Sequence, residues 1–282
     1  MTDKDKKPII VGFVADLMFN VRIGNVAERL GYEMKWVETP DDLGPRDESA
    51  PAERPGELLY GQGGALFTSL TGWQPVLLIF DLDNDVVPWR EWIASIKSSP
   101  ATRRIPILSF GSHVNTESLA AARDAGSDTV VARSRFSSAM ADLIQSQARS
   151  RDEAVLQDTC TQPLAPLARK GIELFNQGHY YKCHDYLEEA WVEDESPGRD
   201  LYRAILQVGI AYFQIERGNF RGAIKMLLRV RQWLDPLPDV CRSVDVARLR
   251  QDVQNVHDSL AELGAERMDE IDRDLFRDIR MV

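Results

Sequence analysis

In the first half of the chain, short apolar runs of strand length alternate with segments of helical periodicity. Residues 9–15 and 75–83 are nearly continuous apolar runs, and residues 32–38 alternate apolar and polar positions. The first pattern is typical of a strand covered on both faces, and the second of a strand covered on one face. Residues 105–110 and 128–133 supply two further strand-like runs. These short strand–helix units predict a doubly wound, five-stranded parallel sheet.

The segments between the strands carry their own helix signals. Gly31 and Gly126 stand where two of the helices are expected to end, because glycine commonly follows the last helical turn. Residues 89–97 place their large apolar side chains at helical spacing. We predict five helices in this half, of which the last covers residues 134–147 with Ser134 as its N-cap.

Proline-rich and polar stretches interrupt these patterns at two places. Residues 40–57 contain four prolines and many charges, and we expect a mobile surface loop there. Residues 148–166 are polar and end in two prolines, as a linker would. The predicted organisation is an α/β domain at 8–147, this linker, a helical domain at 167–262 and a charged C-terminal helix or tail at 263–282.

An internal repeat marks the second half of the chain. Gly178 aligns with Gly218, an offset of 218 − 178 = 40, and the same offset pairs two small residues, Gly171 and Ala211. Small residues let two helices approach closely, and the later glycine allows a tight turn between them. These are the requirements of an antiparallel helix hairpin of tetratricopeptide type. We predict two stacked hairpins with helices near residues 167–177, 179–194, 200–217 and 219–234.

The predicted fold class is therefore α/β plus all-α, a parallel sheet followed by an antiparallel helical-hairpin bundle. After the hairpins, apolar residues recur at spacings of three or four from Val246 to Leu260. This pattern indicates either a helix that covers the hairpin core or a helix that binds a partner. The segment after Gly264 is heavily charged, and we expect it to be loosely held.

Composition and charge narrow the class of protein. Of 282 residues, 34 are Lys or Arg and 44 are Asp or Glu, so the net charge is 34 − 44 = −10. An acidic chain is poorly suited to nucleic acid, whose binding requires a basic surface. No apolar run approaches the roughly 20 residues that span a bilayer, and no secretory signal follows the charged first residues. We therefore expect neither a nucleic-acid nor a membrane partner.

The three cysteines give no recognisable framework. Cys160, Cys183 and Cys241 are few and far apart, so they predict neither a zinc motif nor a set of disulfides. Reduced thiols and a cytoplasmic location follow as the expectation.

Carboxylates cluster where two predicted strands end. Asp16 follows the first strand, and Asp81 and Asp83 follow the third. Ligands bind at the carboxyl ends of strands in such sheets, and carboxylate oxygens suit Mg²⁺. These three residues are the candidate Mg²⁺ ligands, and no other cofactor is expected.

The pieces QPVLLIFDLD, RIPILSF and ARDAGSDTVVARS resemble the response-regulator receiver domain, over about residues 8–147. The resemblance implies that Asp81 is the phosphoacceptor. It also implies that Asp16 fills one of two acidic positions after the first strand, with Ala15 at the other. Asp83 falls where the family uses a backbone carbonyl for Mg²⁺.

Two positions depart from the receiver pattern. Gly111 stands in place of the expected hydroxyl residue, and Arg133 in place of the expected lysine. Phosphoryl transfer needs a metal, a cation and a hydrogen bond to the new phosphate, so we predict a degenerate receiver that no longer switches. Phosphorylation of Asp81 remains the alternative, and this alternative would be favoured if Ser109 or Ser112 supplied the missing hydroxyl.

Three blocks occur in order in the second half, namely LFNQGHYYKCHDYLEEAW, LYRAILQVGIAYFQIERGNFRGAIKMLLRV and RSVDVARLRQD. On these blocks the second half resembles the domain of unknown function 309 family, over about residues 167–260. The family pattern of His, then Glu four later, then Trp three beyond falls on His184, Glu188 and Trp191. A Tyr-His pair of the family falls on Tyr212 and the phenylalanine after it. The resemblance implies a helical domain and no known reaction.

His184 and Glu188 lie four residues apart and therefore share one helix face. Two interpretations stay open. The pair is either a metal or acid–base site, or a buried hydrogen-bonded pair between hairpins beside a core Trp191. The other candidate members of a polar site are Asn176, Arg203 and Tyr212.

Together these features predict a non-catalytic signalling or interaction protein. Its pseudo-receiver would serve docking or dimerisation, and its helical domain would bind protein partners or a second copy of the chain. The alternatives are a phosphorelay response regulator phosphorylated on Asp81, and a small metal-dependent enzyme that uses His184 and Glu188.

Overall fold

The computed structural model of the protein describes residues 7–43, 61–99, 101–150 and 152–282. The chain divides into two compact units, an N-terminal unit of residues 1–150 and a C-terminal unit of residues 151–282. Over the described ranges, none of the helices has the length and apolar content that a membrane span requires.

The described residues of the N-terminal unit contain a five-stranded parallel sheet with the strand order β2-β1-β3-β4-β5. This is a doubly wound order, and it confirms the predicted fold class. The strands are β1 (Ile9–Phe13), β2 (Glu33–Trp36), β3 (Leu77–Asp81), β4 (Ile107–Gly111) and β5 (Thr129–Ala132).

Helices connect and flank these strands. Gly31 and Gly126 have φ values of 86° and 106°, as expected after a helix end. The last predicted helix differs, because it begins at Arg133 and is interrupted at Ala139, so that Ser134 lies inside a helix rather than at its cap. The helices are α1 (Leu17–Arg29), α2 (Gly61–Trp73), α3 (Trp89–Ser98), α4 (Thr116–Asp124), α5 (Arg133–Ser138) and α6 (Met140–Gln147).

The segment expected to be a loop at 40–57 is described only in part. Pro40–Leu43 forms a short 3-10 helix, and the remainder of the predicted loop lies outside the described residues.

Alternate residues of the central strands bury opposite faces of the sheet. Phe13 and Phe80 stack with ring centroids 4.1 Å apart on the face covered by α2 and α3. Phe110 and Phe136 stack at 4.2 Å on the face covered by α1 and α6. Both faces are therefore filled mainly by apolar side chains, and the carboxylates of interest lie at the ends of the strands.

The C-terminal unit is helical, as predicted. The helices are α7 (Glu153–Cys160), α8 (Pro166–Asn176), α9 (Cys183–Glu193), α10 (Asp200–Glu216), α11 (Phe220–Leu234) and α12 (Val246–Leu263). Helix α8 packs on α9, α10 packs on α11, and α9 also packs on α10. Helix α9 begins at Cys183 rather than near residue 179.

The 40-residue repeat is visible in the backbone of the two turns. Gly178 and Gly218 have φ values of 77° and 68°, a region that favours glycine. The amide after Gly178 donates to the carbonyl of Leu174 at 2.9 Å, and the amide after Gly218 donates to the carbonyl of Gln214 at 2.9 Å. The two hairpins thus close with the same hydrogen bond.

Gly171 permits the close approach of α8 and α9. A Cβ atom at this position would lie 2.6 Å from Cγ of Leu187 and 3.4 Å from the carbonyl oxygen of Cys183. We expect Gly171→Val to lower the free energy of unfolding of the C-terminal unit by about 1–3 kcal/mol through overpacking. Denaturant unfolding would measure this, and an unchanged midpoint would contradict the close approach.

The segment expected to be a linker, residues 148–166, holds helix α7 and one half of a disulfide. Cys160 is bonded to Cys241, which lies in a short hairpin of β6 (Val240–Cys241) and β7 (Val244–Asp245). The expectation of three reduced thiols is therefore wrong. Disulfides are uncommon in the cytosol, so the reason given for a cytoplasmic location is removed. Cys183 is free and buried, and burial raises the pKa of its thiol to about 12.

The C-terminal end of the chain is packed rather than loosely held. Met268, Ile271 and Ile279 are each buried, and Met281 forms an antiparallel bridge with Val244. Helix α12 packs on α11, and its apolar stripe is buried, which supports the interpretation of a helix that covers the hairpin core. The buried residues of that stripe are Val246, Leu249, Val253, Val256 and Leu260.

Candidate functional site

The predicted carboxylates meet at one edge of the sheet because β1 and β3 are neighbours. Phe13, the last residue of β1, pairs with Phe80 of β3. Asp81 ends β3, and Asp16 follows β1 as the N-cap of α1, where its side chain accepts a hydrogen bond from the amide of Met18 at 2.9 Å.

Arg133, at the first position of α5, reaches into these carboxylates. Its Nη2 lies 2.6 Å from Oδ1 of Asp81 and 2.9 Å from Oδ2 of Asp83. Its Nε also donates to Oδ2 of Asp83 at 3.2 Å, and its Nη1 lies 3.8 Å from Oδ2 of Asp16. The structure therefore brings together four of the residues predicted for this pocket, namely the three aspartates and Arg133, which contacts each of them.

Two aromatic rings also contact the same guanidinium. The Cζ of Arg133 lies 4.8 Å from the ring centroid of Phe19 and 5.3 Å from that of Phe110. The two rings stack on each other at 5.4 Å. Cation–π contact adds to the ion pairs, so Arg133 is fixed by both carboxylates and rings. The sequence did not indicate Phe19, because an aromatic residue after a strand has many possible roles.

The Asp81 carboxyl is almost fully shielded from water, with its side chain 4% exposed. Burial raises the pKa of Asp81, although a hydrogen bond from the amide of Asp83 at 3.1 Å and the charge of Arg133 oppose the rise. Burial also acts to lower the pKa of Arg133, but pairing with Asp81 and Asp83 outweighs it, and the pKa is raised. The charge of each of these two residues therefore affects the pKa of the other.

The raised pKa of Asp81 gives a testable pH dependence. The folded state holds this proton more tightly than the unfolded state, whose pKa is about 3.9, so the stability contributed by Asp81 falls as pH rises through the folded pKa. We expect the free energy of unfolding of the wild type, minus that of Asp81→Asn, to decrease as pH rises above about 4. Urea unfolding across pH measures this difference, and an increase with pH would contradict it.

The two serines that could supply the hydroxyl that Gly111 lacks, Ser109 and Ser112, lie in different surroundings. Ser109 is fully buried, and its hydroxyl is hydrogen-bonded to that of Ser127 at 2.8 Å. Ser112 donates its backbone amide to Asp83 at 3.0 Å, while its hydroxyl accepts from the amide of Val114. A Cβ at Gly111 would lie 3.1 Å from Cβ of Leu82.

The three carboxylates do not fit Mg²⁺ as they are arranged. Their oxygens are suitable ligands by chemistry, but Arg133 already makes ion pairs with Asp81 and Asp83. Within the part of the chain that the structure describes, no group of three or more His, Cys, Asp or Glu side chains is arranged to hold a metal ion.

In the helical domain, His184 and Glu188 lie on one face of α9, as predicted. Nδ1 of His184 is 3.8 Å from Oε2 of Glu188, and the two side chains are 31% and 56% exposed. This exposure contradicts the interpretation of a pair buried between hairpins. Trp191 is half-buried rather than core, and the guanidinium of Arg203 lies 4.5 Å from its ring centroid.

Two other predicted residues make contacts elsewhere, with the C-terminal end of the chain. Asn176 hydrogen-bonds to the backbone of Ile279, and Tyr212 stacks on Phe276 at 4.2 Å. The helical-domain candidates thus form two groups rather than one pocket. Sequence reasoning missed Phe276 and Ile279, since both lie in a stretch that is otherwise charged.

Comparison with known proteins gives different matches for the N-terminal and C-terminal units. Residues 168–226 match the sequence profile of the family described as "Domain of unknown function (DUF309)". No curated protein matches the chain.

Several solved structures resemble the N-terminal half. One is a putative response regulator from Chloroflexus aurantiacus, with 14% identity, coverage of 51% of this chain and 100% of that chain, and a TM-score of 0.38. A receiver domain of a DNA binding response regulator from Colwellia psychrerythraea has 16% identity, coverage of 49% and 98%, and a TM-score of 0.36. A histidine-kinase receiver domain from Syntrophus aciditrophicus has 14% identity, coverage of 51% and 96%, and a TM-score of 0.36.

At these identities and TM-scores the likenesses carry no conclusion about function. The sheet order and the profile match describe the architecture on their own. The chain combines a doubly wound α/β domain with a helical domain, and residues 168–226 of the helical domain match the DUF309 profile.

Proposed function

We propose that the protein is a non-catalytic interaction protein of a signalling system, whose receiver-like domain does not switch by phosphorylation of Asp81. The observation that carries this proposal is the position of Arg133, which pairs with Asp81 at 2.6 Å and with Asp83 at 2.9 Å. One positive charge of the chain itself then offsets part of the negative charge of the three carboxylates.

Phosphorylation of a carboxylate places demands that this pocket meets poorly. The attacking oxygen must be free to approach the phosphoryl donor, and a metal must neutralise the charge that develops. Here Oδ1 of Asp81 accepts from both Arg133 and the amide of Asp83. Arginine also differs from lysine in that its planar fork binds two oxygens at once, so one guanidinium ties Asp81 to Asp83.

Because Arg133 already pairs with the carboxylates, we expect the surface of this domain to stay the same rather than to change on phosphorylation. We propose that the receiver-like domain acts as a docking or dimerisation unit and that the helical domain binds protein. The exposure of His184 and Glu188, together with the small number of candidate ligands around them, favours this role over metal-dependent catalysis.

Intact mass spectrometry after incubation with acetyl phosphate and Mg²⁺ tests the proposal. We expect no added phosphoryl group on the wild type or on Asp81→Asn. Arg133→Lys, which restores the residue type of the receiver pattern, is the matched variant, and we expect it to accept phosphate more readily than the wild type. An adduct on the folded wild type that is absent from Asp81→Asn would show a working phosphorelay protein and overturn the proposal.

A further inference from the structure

The C-terminal tail, residues 276–282, is held by a side chain that recognises its backbone. Nδ2 of Asn176 donates to the carbonyl oxygen of Ile279 at 3.0 Å, and Oδ1 of Asn176 accepts from the amide of Ile279 at 2.8 Å. One side-chain amide thus satisfies both backbone groups of a single tail residue. Such a contact selects an extended segment without reading the side chain at that position.

Two apolar anchors of the tail are also buried or stacked against the helical hairpins. The ring of Phe276 stacks on Tyr212 at 4.2 Å with an interplanar angle of 11°, and meets the ring of Tyr180 at 6.1 Å edge to face. The side chain of Ile279, three residues later, is buried. Arg277 and Asp278, between the anchors, are exposed.

Beyond the anchors the tail pairs with the backbone of the short β6–β7 hairpin through an isolated bridge. The amide of Asp245 donates to the carbonyl of Arg280 at 3.0 Å, and the amide of Val282 donates to the carbonyl of Ser243 at 2.8 Å. Met281 is the bridge partner of Val244. Pairing of an extended segment with the backbone of an exposed strand is a general mode of peptide recognition.

The groove and its occupant belong to different parts of the sequence. Asn176, Tyr180 and Tyr212 lie within residues 168–226, the DUF309 segment, whereas the tail lies outside it. Within residues 276–282, the stacked or buried side chains are those of Phe276 and Ile279, and much of the remaining attachment of this segment is through backbone hydrogen bonds. These are properties of a bound peptide rather than of a core element.

We propose that Asn176, Tyr180, Tyr212 and the hairpin edge form a groove for an extended peptide of the type Phe-X-X-Ile, and that the tail is its resident ligand. A partner protein with such a segment binds by displacing the tail. This inference rests on the proposed function, because it names the surface through which the helical domain binds protein. Covalent attachment gives the tail a high effective concentration, so the wild-type groove is mostly closed.

A peptide-binding measurement on the full-length chain tests this inference. The double variant Phe276→Ala/Ile279→Ala releases the tail, and a fluorescent peptide of residues 270–282 serves as the probe in fluorescence anisotropy. We expect the variant to bind the peptide saturably and the wild type to bind at least about tenfold more weakly, since its own tail competes. The same peptide with both anchors replaced by Ala is expected to lose binding.

Two matched controls complete the experiment. Arg277→Ala/Asp278→Ala alters exposed side chains of the same tail and is expected to leave the groove closed, as in the wild type. Adding Asn176→Ala to the tail-released variant is expected to abolish peptide binding while circular dichroism remains unchanged.

Three results would overturn the inference. They are a folded tail-released variant that does not bind the peptide, a tail-released variant that unfolds, and exchange of the Ile279 amide in the wild type only through global unfolding. The last two would make the tail a permanent part of the fold. Phosphoryl transfer to Asp81 is read by a separate assay, so its occurrence would refute the pseudo-receiver without affecting this result.

Discussion

Reduction of the Cys160–Cys241 disulfide is expected to lower the free energy of unfolding of the C-terminal unit by about 4 kcal/mol. The bond joins residues 81 positions apart, and a cross-link that closes so long a loop removes much of the conformational freedom of the unfolded chain. It also ties α7 to the hairpin of β6 and β7, which receives the C-terminal tail.

Urea unfolding with and without reductant measures this effect. Cys160→Ser is the control, because it lacks the bond in both conditions and is expected to be insensitive to reductant. A thiol assay on the denatured, unreduced protein should find one free cysteine, Cys183. Three free thiols, or equal stability of the wild type in both conditions, would contradict the disulfide.

Replacement of Arg242 by methionine is expected to lower the free energy of unfolding of the C-terminal unit by about 3–5 kcal/mol. The Arg242 side chain is 5% exposed, and its Nη2 lies 2.6 Å from Oδ2 of Asp194 and 2.9 Å from the hydroxyl of Ser196. Its Nη1 donates to the hydroxyl of Tyr202. Methionine fills similar space but leaves Asp194 as a shielded charge without its partner, which is the costly outcome.

Lys170→Met provides the comparison for this variant. Lys170 pairs with Glu173 at 3.3 Å, and both side chains are 51% exposed, so its loss is expected to cost no more than about 1 kcal/mol. Equal losses of stability for the two variants would show that burial of the Arg242 network contributes nothing.

The sheet and its site were predictable because local sequence specifies them. Apolar runs followed by carboxylates place Asp16, Asp81 and Asp83 at strand ends from sequence pattern alone. The role of Arg133 at this site was not predictable from the presence of arginine where the receiver pattern has lysine. Its charge indicated a substitute for lysine, while its bidentate reach and its contacts with Phe19 depend on how α1 and α5 pack.

The helical hairpins were predictable from a 40-residue repeat. The long-range contacts that hold the C-terminal unit together were not. The turn at Arg242 and Ser243 has φ values of 51° and 64°, yet it lacks the Asn or Gly that usually signals such a hairpin. The pairing of Cys160 with Cys241 and of Asn176 with Ile279 joins distant positions. Only the three-dimensional fold brings such residues together.

The sequence does not predict how the candidate residues of the helical domain are grouped in space. Asn176 and Tyr212 are expected from the sequence to share one polar site with His184 and Glu188. In the structure the first two contact the C-terminal tail, and the other two lie exposed on α9. Helical spacing identifies residues that share a face of one helix, but it gives no information on which segment covers that face.

Direct measurement of Mg²⁺ binding by isothermal titration calorimetry tests the central claim that Arg133 takes the place of a metal among Asp16, Asp81 and Asp83. The wild type is expected to show no saturable binding at millimolar Mg²⁺, and Arg133→Ala is expected to bind Mg²⁺ because its carboxylates are released. Asp81→Asn should not bind. Saturable binding by the wild type that is lost in Asp81→Asn would contradict the claim.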